Sequence, residues 1–374
     1  MKRRNFFNQI AIGGLGAAGL AACSNPSQTS DSQVAETEFS SKQPFIQWKM
    51  PTSWPKEAEM LYGSAAKLCQ RISEMTDGRF SITPYEAGEL VEGLDILDAL
   101  QTGKAECGHT TSNYYFDKSP ALAFATSVPF GLTARQQYAW LYSGGGLELI
   151  QDIHQDLGVM YFPAATVGAN MGGWFRKEIN SVEDLKGLKM RIPGMGAKVI
   201  ARLGVEPKVL SADAIFTAME TGELDAVEWS VPYNDEKLGL NRVASHYYYP
   251  SWWEPGVVID VLISLDAWNQ LPMSYQVAFK TAATEIALTS MSEFITLNSD
   301  AIERIKRYGT KILPMSEEIL DAAYKEAFDL YDELSAQDET FKKVYEHWRE
   351  FRNKVYRWDL INEISYANYT FNSI

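Results

Sequence analysis

Two stretches far apart in this chain spell the same local plan. Ile96-Leu97-Asp98-Ala99-Leu100-Gln101-Thr102-Gly103-Lys104-Ala105-Glu106-Cys107 and Ile215-Phe216-Thr217-Ala218-Met219-Glu220-Thr221-Gly222-Glu223-Leu224-Asp225-Ala226 each read as an amphipathic helix, a Thr-Gly stop and then a strand. Glycine just past a helix end can take the positive φ that turns the chain away. The echo predicts an α/β protein of two lobes on one plan, each helix feeding a strand toward a shared edge. Strands are expected over 45–49, 79–83, 159–166, 188–192, 205–210 and 257–264, and helices over 57–75, 197–203 and 212–220. Ligands of such sheets sit beyond the carboxyl ends of the strands. That rule exposes 109–115 from one lobe and 228–234 from the other, with a cleft between them.

After Leu271 the pattern turns helical. One long helix is expected over 272–307, with Pro272 at its first turn and Gly309 after its end, then helices over 316–334 and 339–363. In the last of these Phe341, Tyr345, Trp348, Phe351, Tyr356 and Trp358 recur near helical spacing, which predicts a packing face. The expected organisation is lobe 1 over 45–164 plus 262–300 and lobe 2 over 165–261. A helical region over 301–374 would pack on the lobes or on a second copy of the chain.

The first residues read as an export signal. Lys2, Arg3 and Arg4 form a basic start, Arg3-Arg4-Asn5-Phe6-Phe7 resembles a twin-arginine signal, and 10–22 is a weakly apolar Gly/Ala-rich run. Leu20-Ala21-Ala22-Cys23 resembles a lipobox, which makes 1–22 a signal peptide and Cys23 a lipidated first mature residue. The polar stretch over 23–44 has almost nothing to bury and is expected to be a disordered tether. The formal net charge of -14 argues against a nucleic-acid partner, which would call for basic patches. Cys69 and Cys107 could pair in an oxidising compartment or stay as two buried thiols.

Chemistry concentrates in Arg191-Ile192-Pro193-Gly194, Glu228-Trp229 and Trp252-Trp253-Glu254-Pro255. A guanidinium can pair with both oxygens of a carboxylate, and Arg191 stands where a strand end must turn and expose it. Two acids beside an anion site would repel the ligand unless a cation intervened. A hard cation such as Na⁺ or Ca²⁺ takes oxygen ligands. Glu228, Glu254, the side-chain oxygen of Asn170 and the backbone oxygen of Trp229 would supply them, together with the ligand's own carboxylate and an adjacent keto or hydroxyl oxygen. Trp54, Tyr114, Tyr115, Trp174 and Trp253 could wall such a pocket, with Tyr hydroxyls donating to the carboxylate. A competing reading makes Glu228 and Glu254 an acid/base pair of an enzyme. Against it stand the lack of a Ser/His/Asp order, of a His-rich metal motif and of a phosphate-cradling loop, with four His in all.

Asn170-Met171-Gly172-Gly173-Trp174-Phe175, Met190-Arg191-Ile192-Pro193-Gly194, Gly222-Glu223-Leu224-Asp225-Ala226-Val227-Glu228-Trp229 and Trp252-Trp253-Glu254-Pro255-Gly256 resemble the solute receptors of tripartite ATP-independent periplasmic (TRAP) transporters. The resemblance is strongest to the branch that binds 2-oxo acids or lactate with a metal ion. It implies a non-enzymatic periplasmic receptor with two α/β lobes closing on a hinge, a long shared helix, TRAP membrane subunits as partners and a homodimer through the C-terminal helix. By the same resemblance Arg191 clamps the substrate carboxylate, and Glu228, Trp229 and Glu254 hold the metal. The branch places Gln where this chain has Asn170, one methylene shorter. A pyruvate-like ligand is expected, and a receptor for another organic acid is the remaining alternative.

Overall fold

A computed structural model describes residues 43–371, and the expected signal peptide, the lipidation site Cys23 and nearly all of the tether lie outside them. Strands β1 (Ile46–Pro51) and β2 (Phe80–Tyr85) run parallel around the first helix, Glu59–Met75. That helix buries Leu61, Ala65, Leu68 and Ile72, a three-to-four-residue spacing that lays one apolar stripe on the sheet. Strand β3 (Cys107–Thr110) pairs antiparallel with β10 (Val257–Ser264), and β10 in turn with β4 (Val159–Gly168). A parallel bridge from Thr52 to His109 joins the two sets into one layer of order β2-β1-β3-β10-β4.

The second lobe is a six-stranded sheet of order β11-β9-β5-β8-β6-β7. Its strands are β5 (Trp174–Phe175), β6 (Lys189–Arg191), β7 (Glu206–Lys208), β8 (Ala226–Val227), β9 (His246–Tyr249) and β11 (Lys311–Pro314). The echo holds at the level of elements: helix Ile96–Gln101 leads to β3, and helix Ala212–Thr221 leads to β8. Gly103 and Gly222 take φ of 71° and 80° at the two stops. Three strands were not anticipated: β5 is two residues long, too short to carry a period, and β9 and β11 pair only after the long helix has returned the chain to this sheet. The region after residue 301 is therefore not wholly helical.

Both long strands, β4 and β10, continue past the boundaries expected at 164/165 and 261/262, their pairing shifting register between Val257 and Val258 and between Ile259 and Asp260. They are the rails along which one lobe passes into the other. The 35-residue helix Met273–Arg307 lies over them, with Pro272 before its first residue and Arg304, Lys306 and Arg307 completing its last turn. Its first half packs Tyr275, Phe279 and Ala283 into the lobe 1 core. Further along, Ser290 accepts from Thr166 N at 2.9 Å, and Arg304 forks onto Glu236 of lobe 2 at 2.7 and 3.0 Å.

The C-terminal helices Glu317–Gln337 and Glu339–Ile361 start at Ser316 and Asp338, whose side chains accept backbone N–H groups of the first turn. Phe341, Tyr345 and Trp348 surround Phe124 and Tyr331 with ring centroids 5.1–6.5 Å apart. Phe351 and Tyr356 flank this cluster, whereas Trp358 is exposed. Cys69 and Cys107 are both free and buried; burial pushes the Cys69 thiol up to about 12, so it is protonated and unreactive. No described helix is long and apolar enough to cross a membrane. Trp348 is fully buried at the centre of the aromatic cluster. Trp348→Ala is expected to cost about 3–5 kcal/mol of unfolding free energy, read from urea denaturation at constant slope.

Candidate functional site

Two independent strand pairings build the site. Along the rails, Val257 pairs with Gly168, and beyond that register Asn170 N donates to the Glu254 carbonyl at 3.2 Å. This sets Asn170 and Glu254 side by side at the end of the β4/β10 pair. In lobe 2, β6 and β8 run parallel with Arg191 opposite Val227, and Glu228 N donates to the Arg191 carbonyl at 2.8 Å. Arg191 and Glu228 thus leave neighbouring strand ends together. Lobe 1 contributes its polar groups from the 3-10 turn Ser112–Tyr115 and the adjoining Thr111, just past β3, and apolar ones from Trp54 and Leu61.

These pieces line a small, partly open cavity. Its polar end is formed by Asn113, Tyr114, Asn170, Arg191, Glu228 and Glu254, and its apolar end by Trp54, Leu61, Val167, Val257 and Ile259. Arg191 is 1% exposed. Its Nη1 donates to the Glu228 carbonyl at 2.8 Å and meets the Glu228 carboxylate at 3.3 Å, while Nε donates to the Leu210 carbonyl at 3.2 Å. Its Nη2 reaches the Tyr114 hydroxyl at 3.4 Å, and the guanidinium lies 5.2 Å from the Trp229 ring centre.

Asn170 occupies the space between the acids. Its Nδ2 donates to Glu228 at 2.8 Å and to Glu254 at 2.7 Å, and Asn113 Nδ2 donates to the other Glu254 oxygen. The Asn170 side-chain oxygen is buried without a partner, as is the Trp229 indole nitrogen. Burial raises the Glu228 carboxyl, against the opposing pull of Arg191. Burial, followed by repulsion from Glu228, holds Glu254 well above the usual carboxylate range. Two desolvated carboxylates facing one guanidinium carry an excess negative charge that a proton or a cation must offset.

The sequence expected Asn170 to offer its oxygen to a cation, and here its nitrogen faces the acids instead. The reason is electrostatic: an amide N–H group is a donor that both facing carboxylates can accept from. The two ends of an amide interchange by a half-turn of the side chain. That half-turn would carry the unpartnered oxygen into the same space, so the set of two carboxylates and one amide fits a hard cation.

The structure brings Trp54, Tyr114, Asn170, Arg191, Glu228, Trp229 and Glu254 to one cavity and leaves out three expected residues. Trp174 stacks on Tyr247 with centroids 4.0 Å apart and donates its indole N–H to Asp235 at 2.9 Å, in the lobe 2 core. Tyr115, next to Tyr114 on the 3-10 turn, points the other way and shares a hydrogen bond with Thr110 at 3.1 Å. Trp253 packs edge-on against Trp252, and the backbone of Gly196 lies close against it. Thr111, Asn113 and Ser230 line the cavity although none was singled out. They fall within 109–115 and 228–234, so the strand-end rule held the signal. Leu61 and Val167 carried no signal beyond being apolar.

The chain matches the model of the bacterial extracellular solute-binding proteins, family 7 (DctP), over residues 52–338. It is 52% identical over 373 residues, 100% of both chains, to a monocarboxylate 2-oxoacid-binding periplasmic protein of Nostoc sp.. A TRAP transporter solute-binding protein from Bordetella bronchiseptica superimposes with a TM-score of 0.87 at 40% identity, over 88% of this chain and 98% of that one. It is a mixed-occupancy dimer with copurified calcium and picolinate in one site and an apo second site. A TRAP solute-binding protein from Pseudoalteromonas atlantica, with bound sodium and pyruvate, gives a TM-score of 0.84 at 32% identity, over 86% and 98% of the two chains. The chain belongs to the DctP family of extracytoplasmic solute-binding proteins, which are receptors and not enzymes.

Asp235, which anchors Trp174, also accepts from the Tyr247 hydroxyl, and burial lifts its carboxyl to about 7. A raised native value means that the folded state binds the extra proton between the unfolded value, about 4, and about 7. Stability from this group is therefore lost as pH rises through that window. Asp235→Asn is expected to flatten the fall in unfolding free energy between those pH values, measured by denaturant titration across the range.

Proposed function

We propose that this protein is the extracytoplasmic receptor of a TRAP transporter and captures a small 2-oxo monocarboxylate such as pyruvate, using Arg191 and a bridging Na⁺ or Ca²⁺. One observation carries the reading: two buried carboxylates and a reversible amide stand beside a buried guanidinium at the polar end of a small cavity. The two ligands named for the related structures, pyruvate and picolinate, share one feature. Each places a second donor atom on the carbon next to its carboxylate. Such a ligand can chelate a cation through the pair while a carboxylate oxygen meets the arginine.

In this reading Glu228, Glu254, the Asn170 side-chain oxygen and the Trp229 carbonyl hold the ion. When bound, the ion neutralises the acids and offers the ligand oxygens a direct partner. Arg191 Nη2 and the Tyr114 hydroxyl receive the carboxylate, and the apolar end receives the ligand's short tail. A dicarboxylate would bring a second negative group to an end lined by Leu61, Val167 and Ile259, where no side chain would pair with it.

The lipobox-like Leu20-Ala21-Ala22-Cys23 supports export and a lipid anchor at Cys23, with 23–44 as the tether that keeps the lobes near the membrane subunits. The last helix, Glu363–Phe371, buries none of its residues and exposes Tyr366, Tyr369 and Phe371. That apolar face supports a homodimer through the C-terminus.

The metal requirement is the sharpest test of this reading. After dialysis against chelator in sodium-free buffer, pyruvate is expected to bind weakly in calorimetry and to recover when Na⁺ or Ca²⁺ is restored alone. Equal affinity with and without either ion, and no metal retained through dialysis, would make Glu228 and Glu254 structural acids. Glu254→Gln is expected to weaken metal and ligand binding together, and in the unmutated protein pyruvate should tighten metal binding by the same factor by which the metal tightens pyruvate, since the coupling is reciprocal.

Arg191→Lys keeps the charge but cannot reach the Leu210 carbonyl, the Glu228 carbonyl and the ligand at once. Pyruvate affinity is expected to fall by about 1.5–3 kcal/mol. The ligand-free protein should also melt at a lower temperature, because a buried scaffold is lost with the guanidinium. Unchanged pyruvate affinity in calorimetry would place Arg191 outside the binding site.

A further inference from the structure

His109 lies on β3, fully buried, outside the cavity lining but bonded to Trp54, which is part of it. Both of its ring nitrogens are engaged. Nδ1 accepts from the Trp54 indole N–H at 2.8 Å, and Nε2 lies 3.4 Å from the Ser64 hydroxyl. The Ser64 hydroxyl in turn donates to the Leu61 carbonyl at 2.7 Å. Donors and acceptors resolve in one way only. An indole can only donate, so Nδ1 is bare and the ring proton sits on Nε2, directed at a hydroxyl whose own proton is already committed. Burial lowers the imidazole to about 3, so the ring stays neutral and Nδ1 stays an acceptor at physiological pH.

The two ends of this chain of bonds are wall residues of the cavity. Trp54 forms its apolar end and faces Tyr114 and Trp229 with ring centroids 6.2 and 6.4 Å away, and Leu61 closes the same end from the first helix. Ser53 N also donates to the His109 carbonyl at 3.0 Å, so backbone and side chain of His109 together hold the segment that carries Trp54. We propose that His109 is a specificity-positioning residue: by tying the Trp54 indole to the Ser64–Leu61 turn it fixes the depth of the apolar end and so limits the chain length of the acid the receptor accepts. The argument rests on the 2-oxo acid reading for its ligand, and on geometry alone for the tie.

A hydrophobic pocket distinguishes ligands differing by a methylene by about tenfold or more only while its wall is fixed. Calorimetry of the full-length protein in calcium, with pyruvate and with 2-oxohexanoate, measures the affinity ratio. Wild type should favour pyruvate strongly. His109→Leu, which fills the space but accepts no hydrogen bond, should narrow the ratio by roughly tenfold. His109→Asn, whose side-chain oxygen can stand where Nδ1 does, should keep the ratio within about twofold of wild type. A purely structural role for His109 would lower stability in both variants and leave the ratio alone, and that result overturns the proposal.

A ligand-free arm separates the tie from the function. In the proton–nitrogen correlation spectrum the Trp54 indole N–H, assigned through Trp54→Phe, should resonate downfield and exchange slowly in wild type and His109→Asn. It should shift upfield and exchange rapidly in His109→Leu. An indole signal indifferent to His109→Leu refutes the tie whatever the ligand. A responsive signal in a protein that binds neither acid supports the tie and overturns the 2-oxo acid reading instead. Should His109→Leu not fold, Ser64→Ala cuts the far end of the chain, and its ratio must then narrow for the proposal to stand.

Discussion

Glu228 and Glu254 are two carboxylates taken out of water within reach of a single guanidinium, and much of the molecule is arranged around that imbalance. Arg191 offsets one negative charge and is itself spent on the Glu228 carbonyl and the Leu210 carbonyl. The second charge accepts hydrogen bonds from the amide N–H groups of Asn113 and Asn170. In the proposed reading the site takes a cation together with the anion. Capture of an acid and capture of an ion therefore become one event.

The backbone makes this imbalance tolerable. Asn170 and Glu254 hang from the ends of the two continuous strands that cross between the lobes, and Arg191 and Glu228 from adjacent parallel strands of lobe 2. The donors of lobe 1, Asn113 and Tyr114, come from one short turn beyond β3. Ligand groups on strand ends are fixed by backbone hydrogen bonds between strands, so the charges are held in place and away from water. The long helix braces β4 through Ser290, which accepts from Thr166 N, and holds the start of the lobe 2 helix Pro232–Leu238 through Asn298, which accepts from Tyr233 N.

The sequence was legible where chemistry and periodicity coincide. The repeated helix–glycine–strand unit announced two α/β lobes, and the Arg191, Glu228 and Glu254 segments stood out because charged residues beside glycine and proline at strand ends have few structural uses. It was less legible for aromatics. Trp174 and Trp253 are as conspicuous in sequence as Trp54, yet one braces Asp235 and the other fills a packing layer. A large ring is equally at home in a core and in a pocket wall, and its one-dimensional context does not separate them. Tyr114 and Tyr115 differ by one position on a tight turn, and that single step decides which faces the cavity.

The sequence by itself determined the fold class, the polarity of the site and the residue types able to hold an acid and an ion, because these follow from local spacing and charge. Only the tertiary structure decided which side chains meet. It put Leu61, Val167 and Asn113 into the wall, turned the Asn170 nitrogen toward the acids, set His109 behind Trp54, and returned Lys311–Pro314 to the lobe 2 sheet. Each of these depends on contacts between segments distant in the chain, and the energy of such a contact is absent from either segment taken alone.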